Sequence, residues 1–320
     1  MSVAPRRDVS VAAAIGALAV VLAVVSPGFF TAANLLDLFL ANLPVLIVAL
    51  GMTLVILTGQ IDISVGSLFA ICGVTAGLLA KAGLPLPLVA AGACAAGLGL
   101  GALNGALVAY ARIPSIVATL ATMVVLREGL RWTTEGAWIQ DLPLRFQWLG
   151  TSQAVYPFVA GATAAALVAF FAWGLRHLAA GRAIYATGSN QDAARLAGIP
   201  TAFVTAAAFA TLGGLTGLAA LLSVVRFNQI PSNAGLGFEL KVIAAVVVGG
   251  AAITGGRGRI GGTVLGVVLL GMIGPALTFL GVNAYWERAI QGAIILTALL
   301  FDALRARPVS HAAAVAAVRS

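Results

Sequence analysis

The chain has 320 residues, of which 61% are apolar and 9% charged. Ordinary soluble domains run nearer half and a quarter. A mean hydropathy of +1.06 argues against a soluble globular enzyme, and disorder needs few apolar residues and many charges. The net charge of +8 comes from Lys and Arg scattered between apolar runs, so it reads as loop charge orienting a membrane protein rather than a nucleic-acid footprint.

A membrane helix needs about 20 apolar residues. Candidate runs lie near 9–27, 42–59, 63–80, 84–110, 113–127, 155–175, 201–222, 240–253, 260–281 and 288–304. The expectation is an all-α, polytopic membrane bundle of about ten helices. It forms one domain, 9–304, between a tail at 1–8 and a tail at 305–320. The first run follows Arg6 and Arg7 but is longer than the apolar region of a signal peptide, so a retained helix is expected. The fifth run is short. The eighth is short and glycine-rich, which suits a broken or tilted helix.

Ten spans with the N-terminus inside put eleven of the 18 basic residues on inner segments and seven on outer ones. That is the direction the positive-inside rule expects, with both termini cytoplasmic. Arg127 counts among the outer seven. An outer loop, 128–154, carries Trp132, Trp138 and Trp148, residues suited to the membrane interface. An inner loop covers 176–200.

Several polar groups interrupt the apolar runs. Asp62 and Ser64 sit in a polar patch between the second and third runs. They either line a pathway or cap the third helix. Asn104, Thr119 and Thr122 lie within runs, as interhelical hydrogen-bonding groups or as pore lining. Gly97, Gly101 and Gly105 form a row at four-residue spacing. So do Gly258, Gly262 and Gly266, and Gly213 with Gly217. Such rows let helix backbones approach closely within one bundle. No repeat of 20–50 residues is visible, and a diverged inverted repeat, frequent in transporter folds, stays open.

The inner loop contains a short helix signal. Ser189 or Asn190 can cap it, Ala193, Ala194 and Arg195 fill it, and Gly198 and Pro200 end it. It serves as a docking element or a plain connector. Glu239 and Lys241 are two positions apart, so on a helix each finds a separate partner. Gly256 to Gly261 matches GxGxxG, but no strand precedes it and no acid follows at the required distance, so it reads as a turn. The only lysines are Lys81 and Lys241, and neither sits in a Walker A pattern, so any ATP is hydrolysed on another chain. Cys72, Cys94, His177 and His311 form no metal or catalytic set, and Gly-x-Ser-x-Gly is absent. No cofactor is expected on this chain.

Four stretches together carry a resemblance. They are Gly51–Ser67, Asn104-Gly105 followed by Arg112–Leu120, Gly181–Asn190 running into Ala193–Ile199, and Gly235–Leu240 with Ala244–Gly250. In this order, over about residues 15 to 304, the chain resembles the ribose-type (monosaccharide) family of ABC importer permeases. Gly136-Ala137-Trp138-Ile139, Leu142-Pro143 and Ile230–Asn233 are similar to the autoinducer-2 branch, and rhamnose-type permeases carry a related Gly-Ala-Trp stretch. Gly59-Gln60 departs from the Gly-Gly that the family often has there.

The resemblance implies the larger-class ABC importer permease fold in a bacterial inner membrane. It implies a second permease subunit, identical or homologous, cytoplasmic ATP-binding subunits, and a periplasmic solute-binding protein. It implies coupling to the ATPase through Arg182, Gly188, Asn190, Ala193, Ala194, Arg195 and Gly198. The translocation path is expected near Asp62, Ser64, Asn104, Thr119, Thr122 and Glu239. The rival expectation is an ion-coupled secondary transporter acting without an ATPase subunit.

Overall fold

A computed structural model describes residues 4–283 and 285–305. Most of the C-terminal tail, including Arg307, His311 and Arg319, lies outside the described residues, as do the first three residues of the N-terminal tail. Among the described residues there are twelve α-helices and no named strand. They are α1 (Ala4–Val25), α2 (Ala32–Leu57), α3 (Val65–Lys81), α4 (Leu86–Ala109), α5 (Ser115–Thr133), α6 (Tyr156–His177), α7 (Ala179–Ser189), α8 (Gln191–Leu196), α9 (Thr201–Val224), α10 (Phe238–Val248), α11 (Ile260–Phe279) and α12 (Trp286–Arg305). Each of the ten apolar runs contains one helix, and α7 and α8 fill the segment expected as the inner loop. Five helices, α2, α4, α6, α9 and α11, are long and apolar enough to cross a membrane. The architecture is a polytopic helical membrane bundle.

The differences from expectation have local causes. Helix α1 starts at Ala4, inside the segment read as a tail. Helix α2 starts ten residues before its apolar run because Asn34, Asp37 and Asn42 break the hydropathy but not the helix. Two of these polar groups bond nearby backbone: Asn42 Nδ2 donates to the Leu38 carbonyl at 2.8 Å and Asn34 Nδ2 to the Phe29 carbonyl at 2.6 Å. Helix α5 continues to Thr133, so Arg127 belongs to a helix and not to an outer segment. Helix α10 has 11 residues, about 16 Å of helix at 1.5 Å per residue, which is half a membrane. Gly258 lies in the turn before α11, so only Gly262 and Gly266 of its row share a helix face.

The core is built on close backbone approach. Gly97, Gly101 and Gly105 of α4 face Gly213, Phe209 and Ala206 of α9, and Gly217 faces Ala93. The two glycine rows therefore pack on each other within one bundle. Helix α2 is apolar all round and almost wholly buried from Leu43 to Leu57, as a central helix should be. A buried hydrogen bond of 2.8 Å between the Thr53 and Thr263 hydroxyls ties it to α11.

An internal symmetry emerges from the packing. Helix α3 packs on α4, α5 and α9, and α10 packs on α11, α12 and α2. Helices α2–α5 and α9–α12 are thus two units of the same plan. They run in opposite directions, because the C-terminus of α2 and the N-terminus of α9 lie at the same end, beside α7 and α8. This is an inverted repeat of the kind that brackets transport pathways.

Both units contain a short helix that starts inside the bundle. The segment after α2 climbs along α5: Ile61 N donates to Ser115 Oγ at 3.3 Å, and Ile63 N to Thr119 Oγ1 at 3.1 Å. Then Ser67 Oγ donates to the Met123 carbonyl at 2.8 Å, and Arg127 Nε to Ser67 Oγ at 3.2 Å. Just over three turns of α5, about 18 Å, are covered in this way. Gly235, just before α10, meets Gly66 at the start of α3. The two short helices begin against each other, away from either surface.

Loops expected on one side of the membrane gather at one end. Residues 57–60, 110–114, α7–α8 and 254–258 meet beside α7 and α8. At the opposite end residues 136–151 pack on 225–232, with paired Ile139–Ile230 backbone bonds of 3.0 and 2.8 Å and Trp148 N donating to the Val225 carbonyl at 2.8 Å.

Candidate functional site

Three sites emerge from the residues singled out by sequence. The first is a closed polar knot. Asp62, Ser64 and Asn104 are fully buried. Asp62 Oδ1 accepts from Ser64 N at 2.8 Å and Ser64 Oγ at 2.6 Å. Asn104 Nδ2 donates to Ser64 Oγ at 2.7 Å and to Asp62 Oδ2 at 3.3 Å. Of the two readings, Asp62 satisfies a backbone donor at the start of α3 and fastens it to α4. Thr119, also fully buried, joins α5 to the same segment through Ile63. Thr122 is half-buried, and its hydroxyl donates to the Thr119 carbonyl at 3.2 Å. Asp62, Ser64, Asn104 and Thr119 hold the re-entering segment in place.

The second site surrounds Glu239. The residue lies in the first turn of α10, behind Gly237 in the left-handed region at φ +77°. Its carboxylate reaches Gly66 of α3, where Arg127 of α5 also arrives. Lys241 takes a separate partner as expected: its Nζ lies 2.6 Å from Glu287 Oε1 on α12, which also accepts from Gln291 Nε2 at 3.0 Å. Arg127 escaped notice as a site residue because it stood at the end of a short apolar run, where loop charge begins. A helical extension of α5 by six residues would have placed it inside.

The third site is the end built by α7 and α8. Asn190 caps α8, its Oδ1 accepting from Ala193 N at 2.9 Å, and Gly198 ends the turn at φ +82°. The capping residue is therefore Asn190 and not Ser189. Ala194 is buried, while Ala193 and Arg195 are exposed. The contact of 3.9 Å between Arg195 and Asp192 is solvent-exposed and contributes little. Leu196, in the body of the short helix, is 90% exposed and forms an apolar tip. Arg182 Nη1 donates to the His177 carbonyl at 3.2 Å.

Gly188 has a packing reason to be glycine. A Cβ there would overlap the Leu57 carbonyl and lie 2.7 Å from Gly256 N. Gly256 N itself donates to the Leu57 carbonyl at 2.9 Å, and Tyr185 Oη donates to the Gly258 carbonyl at 2.8 Å. Burial raises the Tyr185 phenol above its ordinary pKa, opposed by nearby Arg259, so the donor keeps its proton at neutral pH. Helix α7 thus touches the segment after α2 and the turn before α11 together. Beside it a cleft of about 810 Å³ is lined by Gln60, Arg112, Gln191, Arg195 and Phe203.

An inverted helical repeat with two short helices that begin against each other inside the bundle suits a membrane transport protein, and the comparisons specify its class. Residues 34–299 match the family described as branched-chain amino acid transport system / permease component, and the chain belongs to that family. It is a permease subunit of an ABC importer, a transport subunit that works with ATPase and binding-protein partners in a membrane. It is 39% identical over 290 residues, 89% of this chain and 85% of the relative, to the autoinducer 2 import system permease protein LsrC of Escherichia coli (strain K12 / DH10B). The LsrC proteins of Salmonella typhi and Yersinia pseudotuberculosis serotype O:1b (strain IP 31758) are 35% and 36% identical over 297 residues, covering 93% of this chain and 86% and 85% of the relatives. No solved structure matches.

Proposed function

We propose that the chain carries a small sugar-like molecule of the autoinducer-2, ribose or rhamnose class inward across a bacterial inner membrane, with both termini cytoplasmic. A second permease subunit, identical or homologous, completes the channel. Cytoplasmic ATP-binding subunits hold and hydrolyse the ATP, and a periplasmic solute-binding protein delivers the substrate. The domain is 9–304, with its outer loop at 128–154 and its coupling loop at 176–200.

The observation that carries the coupling role is the attachment of α7 to both re-entrant units, through Gly188 to Leu57 and through Tyr185 to Gly258. A push on α7–α8 therefore reaches the two units at once. Arg182, Gly188, Asn190, Ala193, Ala194, Arg195 and Gly198 form this coupling element, and the exposed Leu196 offers an apolar contact to the ATP-binding subunit. The path runs past Thr122 and Glu239. Asp62, Ser64, Asn104 and Thr119 fasten the wall beside it.

The test is labelled uptake in a strain lacking this chain, over ribose, rhamnose and autoinducer-2, with and without ATP depletion. One ATP-dependent uptake should disappear and return with the intact chain. Uptake that persists after ATP depletion would sink the proposal and favour an ion-driven carrier.

Arg195→Glu is expected to lower substrate-stimulated ATP hydrolysis roughly tenfold, because a reversed charge at a docking rim repels its partner surface. Its exposed position predicts an unchanged melting temperature. Stimulation at the wild-type level would remove α8 from the docking surface.

A further inference from the structure

Arg127 and Glu239 come from different halves of the inverted repeat and converge on one point. Arg127 Nε is held by Ser67 Oγ at 3.2 Å, but Arg127 Nη1 is buried with no hydrogen-bond partner. Glu239 Oε2 is also buried and without a partner. Both groups abut Gly66: a Cβ on that glycine would overlap Glu239 Oε2 and the Gly235 carbonyl, and would lie 3.2 Å from Arg127 Nη2. No ion pair within 4.0 Å joins Arg127 to Glu239 among the described residues. The place lies where the short helices α3 and α10 begin.

A charged atom left unpartnered inside a helical membrane protein is expensive, and such residues are kept where a pathway needs them. Here one donor and one acceptor stand unpaired on either side of a position without a side chain. A cation would satisfy only the carboxylate, an anion only the guanidinium, and an apolar molecule neither. A neutral polyhydroxylated molecule satisfies both, since each hydroxyl donates and accepts, as would a zwitterion through its two ends; the reading of the chain as a carrier of sugar-like molecules selects the former. Leu236, on the approach to α10, and Leu240, in its first turn, are 54% and 40% exposed.

We infer that Arg127, Glu239 and the Gly66–Gly235 junction form a binding site for a neutral polyol inside the bundle, with Arg127 donating to and Glu239 accepting from its hydroxyls. The inference rests on the chain being a permease for small sugar-like molecules, and it names where such a molecule is held in transit. Ser67 positions the guanidinium.

The experiment is saturation-transfer NMR on the full chain in lipid nanodiscs, with ribose as the probe and 2-deoxyribose, tetramethylammonium and acetate as comparators. Ribose is expected to show millimolar binding, 2-deoxyribose weaker binding, and the two ions none. Glu239→Gln and Arg127→Gln should each weaken ribose binding at least about tenfold, the loss expected for a hydrogen bond to a charged group. Ser67→Ala should weaken it less.

Melting temperatures are measured on the same samples. A purely structural pair would lower them and leave ribose binding intact, which overturns the site. Absence of ribose binding to the wild-type chain overturns it as well. The uptake assay is independent of this readout, so the site can fail while ATP-dependent uptake stands. If no ATP-dependent uptake is found, the transport reading fails and the site falls with it.

Discussion

Asp62→Leu should leave little folded protein, whereas Asp62→Asn should be tolerated. Leucine removes the acceptor for Ser64 N and one acceptor each for Ser64 Oγ and Asn104 Nδ2. Ser64 Oγ can turn elsewhere and Asn104 keeps its bond to it, so the loss is close to two buried donors. At about 1–3 kcal/mol for each unsatisfied group, the cost is roughly 2–6 kcal/mol. That is a large share of the stability of any domain.

Asparagine retains an oxygen for Ser64, and its amide can donate to Asn104 Oδ1, which is buried and unpartnered. The exchange is therefore expected to cost no more than about 1 kcal/mol, the worth of one net hydrogen bond. The measurement is the monodisperse fraction and melting temperature of each variant in detergent. Equal loss in both would mean that the carboxylate charge itself is needed, against a purely structural knot.

Gly97→Val is expected to prevent the α4–α9 seam from closing. Any Cβ at Gly97 overlaps the carbonyl of Gly213, and one at Gly213 overlaps the carbonyl of Gly97. The obstacle is backbone on backbone, so no side-chain rotamer relieves it. Overpacking a close-packed core costs typically 1–3 kcal/mol, and this contact belongs near about 3 kcal/mol because neither helix can yield alone.

Gly99→Val supplies the control. Gly99 is on the same helix with nothing within 4 Å of its Cβ position, so valine there should leave the melting temperature unchanged. If Gly99→Val destabilised as much as Gly97→Val, the effect would belong to α4 itself and not to its contact with α9. Gly101→Val should behave like Gly97→Val, since its Cβ meets the Phe209 carbonyl.

The elements most legible in the chain were those whose chemistry is local. Long apolar runs gave α4, α6, α9 and α11 to within three residues at each end. Asn190, Gly198 and Pro200 announced α8, because caps and stops act within one turn. Helix α7 was missed because its amphipathic segment GRAIYATGS carries no run of apolar residues. The early start of α2 was missed because three polar side chains lowered the hydropathy without breaking the helix.

For the sites, residue type alone left open what each polar group does. Asp62, Ser64 and Asn104 are polar groups in apolar surroundings, and such groups suit a pathway or a knot equally well. Only their mutual distances, 2.6 to 3.3 Å, make them a knot. Conversely, Arg127 looked like loop charge until α5 carried it alongside Ser67.

Composition by itself pointed to a membrane bundle, since 61% apolar and 9% charged residues lie far from the half and quarter of ordinary soluble domains. Spacing by itself determined where most helices lie, because hydropathy and capping depend on neighbours in the chain. Tertiary structure decided which helices, α2–α5 and α9–α12, form the inverted copies that sequence left open, that the short helices α3 and α10 begin against each other inside, and that α7 touches both units. The physical reason is that packing selects for shape and direction. Two segments can share a plan of small residues, breaks and crossings with no sequence in common, and Arg127 and Glu239, 112 positions apart, become neighbours only when both copies fold.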